Sequence, residues 1–272
     1  MALDWNHRLA KIIGSLDNPD FARNLSLALK SVVDFEYTVI FGYVGTAQPL
    51  ALYDDFPKAR RVMHVDEYVA GPYLLDPFYQ ASANAATPGL WRLSEIAPDR
   101  FYQGEYFRNY YAQTGLAEEI GYLVQVHDRL SIVVSLMRKE KRFTKAEIKS
   151  LKLIWPIIQA SCQRHWGQTA RDGADDASDL EQNIALAFRT LGEGLLTPRE
   201  REVVEHTLRG HSADAVGKLL GISSGTVRIH RKNVYAKLRI NSQGELFSVF
   251  LTTITDQRLG SYEKPADPHL AG

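Results

Sequence analysis

Residues 221–238, GISSGTVRIHRKNVYAKL, gather Arg228, His230, Arg231, Lys232 and Lys237 without one acidic side chain, in a chain whose 32 basic and 32 acidic residues cancel. A helix can carry arginine and lysine for solubility alone. A basic patch on a neutral chain also fits a surface that meets a polyanion. Arginine and lysine suit guanine edges in a major groove. Hydroxyls such as those of Ser212, Ser224 and Thr226, with the free N–H groups at helix starts, suit phosphate oxygens. A second group of residues, in YLLDPFYQASANAATPGLW (73–91), sets Asp76 before Pro77 and upstream of Trp91, in a half of the chain rich in tyrosine and phenylalanine. A buried carboxylate needs a donor, so Asp76 among aromatic rings suits an N–H, ammonium or hydroxyl group. Asp before Pro also ends a helix or makes a turn through local hydrogen bonds, and Trp91 can be plain core.

Other chemistry has little support. His7, His64, His127 and His165 lack ligand spacing with one another, and Cys162 is the only cysteine. Neither a metal nor another cofactor is expected. There is no glycine-rich phosphate loop, nucleophile elbow or triad, so no enzymatic activity is expected. The N-terminus lacks the pattern of a secretory signal, and no run approaches the ~20 apolar residues of a membrane span. A lone cysteine agrees with a reducing cytoplasm.

Elements must hold these residues in place. The 272 residues allow two domains, and the 45% hydrophobic content can build their cores. Trp5, Leu9, Ile12, Ile13 and Leu16 repeat at helical spacing, as do Phe21, Leu25, Leu29 and Val32. YTVIFGYV (37–44) and PLALY (49–53) read as strands, and EIGYLVQV (119–126) and LSIVVSLMR (130–138) as a hairpin turning at His127–Arg129. Helical patterns recur near 58–70 and 103–113, and Thr144 with Glu147 opens a helix expected to run to Trp166. These elements predict an α/β/α sandwich on an antiparallel sheet, GAF- or PAS-like, over 1–166. The polar stretch GQTARDGADDASD begins a linker over 167–191, in which Ser178 and Glu181 cap a helix bearing Leu180, Ile184, Phe188 and Leu191. An all-α domain follows over 192–256 and a flexible tail over 257–272, making the chain α+β.

In the all-α domain, Thr197, Pro198 and Glu200 start a helix that Gly210 stops, Ser212 caps a second that ends at Gly221, and Ser223 or Ser224 starts the basic third. Val227, Val234 and Leu238 form its buried stripe. Two helices joined by a tight glycine turn, the second one basic, make a helix-turn-helix. Ser242 and Glu245 cap a fourth helix whose Leu246, Phe247, Phe250 and Leu251 exceed what a small domain buries, which predicts a homodimer.

The stretch LTPREREVVEHTLRGHSADAVGKLLGISSGTVRIHRKNVYAKLRI resembles the LuxR/FixJ/NarL-type helix-turn-helix. The resemblance implies a four-helix domain that binds double-stranded DNA, with Arg228, Ile229 and Lys232 reading bases and the fourth helix dimerising on an inverted repeat. Ala215, Gly217 and Gln243 depart from its usual Glu, Ala and Arg. A phospho-receiver partner does not fit, because the chain opens with helices. Residues 73–91 are instead similar to autoinducer-binding LuxR sensor domains, which implies that Asp76 accepts a hydrogen bond from a ligand N–H beside Trp91. Met63 and Glu67 stand where that family has the aromatics that close over an acyl-homoserine lactone, and Tyr68 lies one residue away from one of them. Tyr53 and Tyr79 complete the candidate pocket. The expected function is a DNA-binding regulator controlled by a small molecule, an amine- or amide-bearing one before an acyl-homoserine lactone. An N-terminal protein-interaction module is the alternative.

Overall fold

A computed structural model describes residues 2–45, 47–84, 86–109, 111–169, 188 and 191–262. Five strands, β1 (Tyr37–Val44), β2 (Leu50–Asp54), β3 (Gly89–Arg92), β4 (Glu118–His127) and β5 (Leu130–Arg138), form one antiparallel sheet in the order β2-β1-β5-β4-β3. The β4–β5 hairpin turns at Asp128 and Arg129 and pairs Gly121 with Ser135. Strand β3 is four residues long, too short for its periodicity to be legible beforehand.

Alternation along the strands divides the core. Ile40, Ile120, Tyr122, Ile132 and Val134 face α1 (Ala2–Gly14), α2 (Phe21–Val32), α7 (Lys145–Leu153) and α8 (Trp155–His165). The expected single helix from Thr144 to Trp166 is two helices. Thr144 accepts from the N–H of Glu147 at 3.2 Å, but Pro156 falls in the first turn of α8 after a break at Ile154. Proline supplies no N–H and its ring crowds the preceding turn.

Val39, Phe41, Tyr43, Leu123, Val133 and Met137 face the other way. Short helical pieces cover them: α3 (Lys58–Arg61), a π-helical turn (Val62–Glu67), a 3-10 turn (Pro72–Leu75), α4 (Pro77–Ala83), α5 (Leu93–Ile96), α6 (Glu105–Asn109) and a 3-10 turn (Tyr111–Thr114). Gly121 permits the closest approach. A Cβ there would lie 2.6 Å from the Phe78 ring, so only glycine lets α4 settle on β4.

The C-terminal part has α9 (Pro198–Leu208), α10 (Ala213–Leu220), α11 (Ser224–Leu238) and α12 (Gln243–Tyr262) around Val203, Val216 and Val227. The linker positions Ser178, Leu180, Glu181 and Ile184 lie outside the described residues, as do 263–272, whereas 257–262, expected as part of a flexible tail, continue helix α12. Phe188 and Leu191 are buried. Leu246, Phe247, Phe250 and Ile254 of α12 are buried too, in a cluster that continues into Tyr73, Phe101 and Tyr106. Much of the apolar surplus that suggested a dimer is thus covered within the chain.

Candidate nucleic-acid interface and ligand pocket

Helix α11 is set by its cap. The Ser223 hydroxyl accepts from the N–H of Thr226 at 3.0 Å, which makes Ser224 the first helical residue and orients the turn that follows. Val227 and Val234 are buried at 0% exposure, while Ile229 is 60% exposed and Arg228 and Lys232 are open on the same face. Ile229 between two exposed cations can meet a thymine methyl while Arg228 and Lys232 reach hydrogen-bonding base edges. The close approach of α10 to α11 explains one departure from the family pattern. A Cβ on Gly217 would come within 2.7 Å of the Ile222 carbonyl oxygen.

Other candidates are engaged inside the chain. Lys237 Nζ lies 2.7 Å from Glu200 Oε2 and so ties α11 to α9. Arg231 Nη2 reaches Tyr235 and Gln243, each at 3.4 Å. The Ser212 hydroxyl caps α10 by accepting from Ala215 at 3.1 Å. Its own N–H donates to Asp99 Oδ1 at 3.0 Å, so a carboxylate already occupies this candidate phosphate contact.

Asp76 caps a helix, as its place before Pro77 suggested, and its second oxygen meets a tyrosine. Its Oδ1 caps α4 by accepting from the Phe78 N–H at 2.7 Å. Its Oδ2 accepts from the Tyr68 hydroxyl at 2.7 Å, and the Tyr43 and Tyr68 hydroxyls are 2.7 Å apart. These groups line a cavity of about 30 Å³ that also meets His64, Tyr106, Tyr111 and Glu119. Such a space matches about one water molecule. Glu119, 6% exposed, accepts from Tyr111 at 3.1 Å. Neither lysine nor arginine lines this cavity. Burial pushes the Asp76 carboxyl up to about 6 against the opposing hydrogen bonds of Tyr68 and the Phe78 backbone. Burial, with the Asp76 charge added, pushes Glu119 up to about 8. His64 stacks on Phe56 at 4.3 Å, and its Nε2 is buried without a hydrogen-bond partner. Burial, then Arg60 and Lys139, lowers its pKa to about 4.

The remaining candidates are dispersed. Tyr79 is buried next to the pocket, edge-on to Tyr43 at 5.5 Å. Met63 is half-buried on the π-helical turn, and Glu67 on the same turn is exposed and cannot act as a second acceptor in the cavity. Tyr53 packs against the opposite core. Trp91 donates from Nε1 to the Thr87 carbonyl at 2.9 Å and does not line the cavity. Glu119 is the residue the sequence reading missed. Its signal was a charged side chain in phase with the inward positions Gly121 and Leu123 of β4. Among the described residues no group of His, Cys, Asp and Glu could hold a metal ion, and no helix is long and apolar enough to cross a membrane.

Comparison with known proteins identifies the family and the fold. The family of bacterial regulatory proteins called the luxR family matches residues 194–250. An Aeromonas salmonicida protein from the exeN 3′ region, described as an HTH-type transcriptional regulator, is 34% identical over 197 residues, 70% of this chain and 100% of its own length. The monoamine regulon transcriptional regulator of Klebsiella aerogenes is 25% identical over 145 residues, 52% of this chain and 55% of its own. Among solved structures, the LBD domain of VqsR from Pseudomonas aeruginosa has 28% identity and a TM-score of 0.52, covering 60% of this chain and 97% of that one.

Proposed function

Because the chain belongs to the LuxR family of bacterial transcriptional regulators, we propose that it binds specific DNA sequences through Arg228, Ile229 and Lys232 under the control of a small molecule bearing an ammonium or amide N–H group. The observation that carries the ligand reading is that Asp76 and Glu119 share one buried cavity that neither lysine nor arginine lines and whose histidine, His64, is held neutral by burial. Two carboxylates confined away from water are costly unless protonated or matched by a cation. A primary ammonium offers three donors, relieves both carboxylates and sits among tyrosine faces. An acyl-homoserine lactone offers its amide N–H to Asp76 and leaves Glu119 unmatched, which places it second.

A cavity of about 30 Å³ admits a metabolite only if its walls separate. Tyr68, Tyr106 and Tyr111 stand on or beside short helical turns, which can move more readily than the sheet. Those turns touch the DNA-binding part. A Cβ on Gly71 would lie 3.1 Å from Ile254 of α12, and Gly244 approaches Glu105 of α6. Displacement of either segment shifts α12 and with it the orientation of α11. DNA recognition by a homodimer on an inverted repeat, with half-site centres about one helical turn apart, completes the proposal.

Thermal denaturation of the full chain with butylamine, tyramine, 1-butanol and an acyl-homoserine lactone tests the ligand class. The amines raise the Tm of the wild type and leave the Asp76→Asn/Glu119→Gln double variant unmoved. Equal stabilisation by the lactone, or an amine response that survives in the double variant, overturns the reading.

A further inference from the structure

The apolar face of α12, which the family resemblance assigns to dimerisation, is occupied within the chain. Leu246, Phe247, Phe250 and Ile254 are buried in the cluster that holds Tyr73, Phe101 and Tyr106 of the N-terminal part. Between 243 and 254 the exposed side chains of α12 are Glu245, Ser248 and Thr252, all polar. A stable interface between copies is built around an apolar centre, and on this helix a second copy finds none. A further contact lies on the turn between α9 and α10. The Arg100 N–H donates to the Gly210 carbonyl at 3.0 Å, and Asp99 Oδ1 accepts from the Ser212 N–H at 3.0 Å. Gly210 has a left-handed backbone with φ of 94°, and a Cβ there would lie 3.0 Å from Phe101 Cα, so glycine is what permits this approach. Asp99 thus sets a negative charge at the end of α10 that suits a phosphate, and the two anions exclude each other. Phe101 also faces the pocket. Its ring meets Tyr111 edge-on at 6.1 Å, and the Tyr111 hydroxyl donates to Glu119 at 3.1 Å, so movement of the pocket wall reaches this contact.

We propose that this docked arrangement is autoinhibited: the N-terminal part holds the apolar face of α12 and the phosphate-facing end of α10, and binding to an inverted repeat as a dimer requires both to be released. The exposed Arg228, Ile229 and Lys232 of α11 stay open in the docked chain. A docked chain can therefore lay α11 on one half-site, but it cannot pair through α12 with a second copy on the other. Whatever favours undocking strengthens binding to the paired sites, and by linkage the paired sites favour undocking. The inference rests on the DNA-binding reading above and is independent of which ligand enters the Asp76–Glu119 cavity.

The experiment locks and wedges one contact in the full chain. A Cβ on Gly71 would lie 3.8 Å from Ile254 Cβ, a separation at which two cysteines close a disulfide with the backbone in place. The Gly71→Cys/Ile254→Cys chain is compared with itself, oxidised and reduced, on a duplex selected by the wild type from a random pool and on the same duplex with one half-site scrambled. Closure within one chain is read from its mobility under non-reducing conditions. Cys162 is buried, and the single variant Gly71→Cys controls for the effect of the redox buffers. The oxidised chain binds the selected duplex at least about tenfold more weakly than the reduced chain, and no better than it binds the scrambled one. Reduction restores both affinity and preference. Gly71→Phe, which drives a ring against Ile254, binds the selected duplex several-fold more tightly than the wild type. The proposal is overturned if the oxidised chain binds the selected duplex as the reduced chain does. It is equally overturned if Gly71→Phe, folded by circular dichroism, gives the wild-type isotherm. A wild type that selects no duplex overturns the DNA-binding reading and this inference together.

Discussion

Replacing Glu119 by Gln is expected to flatten the fall in stability of the N-terminal part between about pH 5 and pH 8. In the folded chain, burial and the Asp76 charge raise the Glu119 carboxyl from 4.5 to about 8. Below pH 4.5 both folded and unfolded chains hold the proton, and Glu119 makes no difference to stability. As pH rises from there, the unfolded chain releases the proton and the folded chain keeps it, so stability falls by about 1.4 kcal/mol per pH unit until the folded group also ionises. Across the window this amounts to about 3 to 5 kcal/mol, with the pair Asp76 and Glu119 sharing the titration. Glutamine keeps the shape and the hydrogen-bonding reach toward Tyr111 and carries no charge to desolvate. All four tryptophans, Trp5, Trp91, Trp155 and Trp166, precede the linker. Urea unfolding followed by tryptophan fluorescence therefore reports the N-terminal part. Measured at pH 5, 6, 7 and 8, the wild-type and Glu119→Gln midpoints diverge with rising pH, the variant becoming the more stable, while the exposed Glu67→Gln tracks the wild type. Parallel curves for wild type and Glu119→Gln would refute the burial argument and with it the acidic pocket.

Arg228→Ala should weaken binding to a selected duplex by about 1–3 kcal/mol and relax preference at one position per half-site; equal loss on random DNA in fluorescence anisotropy would show a phosphate contact only. Asp99→Ala frees the Ser212 N–H and should raise affinity for DNA several-fold at low salt, and an unchanged isotherm would show that the contact does not compete with phosphate. Glu147 has its pKa lowered to about 2, by the Arg138 hydrogen bond above all, so the stability it contributes is present above about pH 4.5 and is lost as pH falls toward 2. Because Glu147 is partly exposed, solvent screening leaves about 1–2 kcal/mol of that, and Glu147→Gln should shift the acid unfolding midpoint upward in circular dichroism. Gly121→Ala forces a methyl into the Phe78 ring and should cost about 1–3 kcal/mol, with weaker amine binding as Asp76 is displaced; a calorimetric titration matching wild type would contradict this.

The helix-turn-helix was legible because its signals are local. Thr197 with Glu200, Ser212, Gly221 and Ser223 each fix a boundary through one short-range hydrogen bond or one backbone conformation, and the structure reproduces them. The sheet was legible where strands alternate over eight or more residues, as in β1, β4 and β5. Legibility failed where tertiary contacts decide. Pro156 reads as an ordinary first-turn proline only once the break at Ile154 is known. Glu119 looks like a strand-end charge until pairing with Met137 fixes its face. Lys237 resembles its basic neighbours on α11, yet its partner Glu200 is 37 residues away in sequence. The half-exposed Trp91 and the exposed Glu67 have the right spacing along the chain, but neither lines the cavity beside Asp76.

Control of DNA affinity by a molecule held at Asp76, as proposed, can be measured as a coupling free energy. The most direct test measures binding of a duplex selected by the full chain from a random pool, with and without a primary amine that raises the Tm, for wild type and Asp76→Asn. The expected result is a change of at least about tenfold in Kd, or 1.4 kcal/mol of coupling, for the wild type and none for Asp76→Asn. A wild-type Kd that ignores an amine shown to bind, or an equal response from Asp76→Asn, would contradict it.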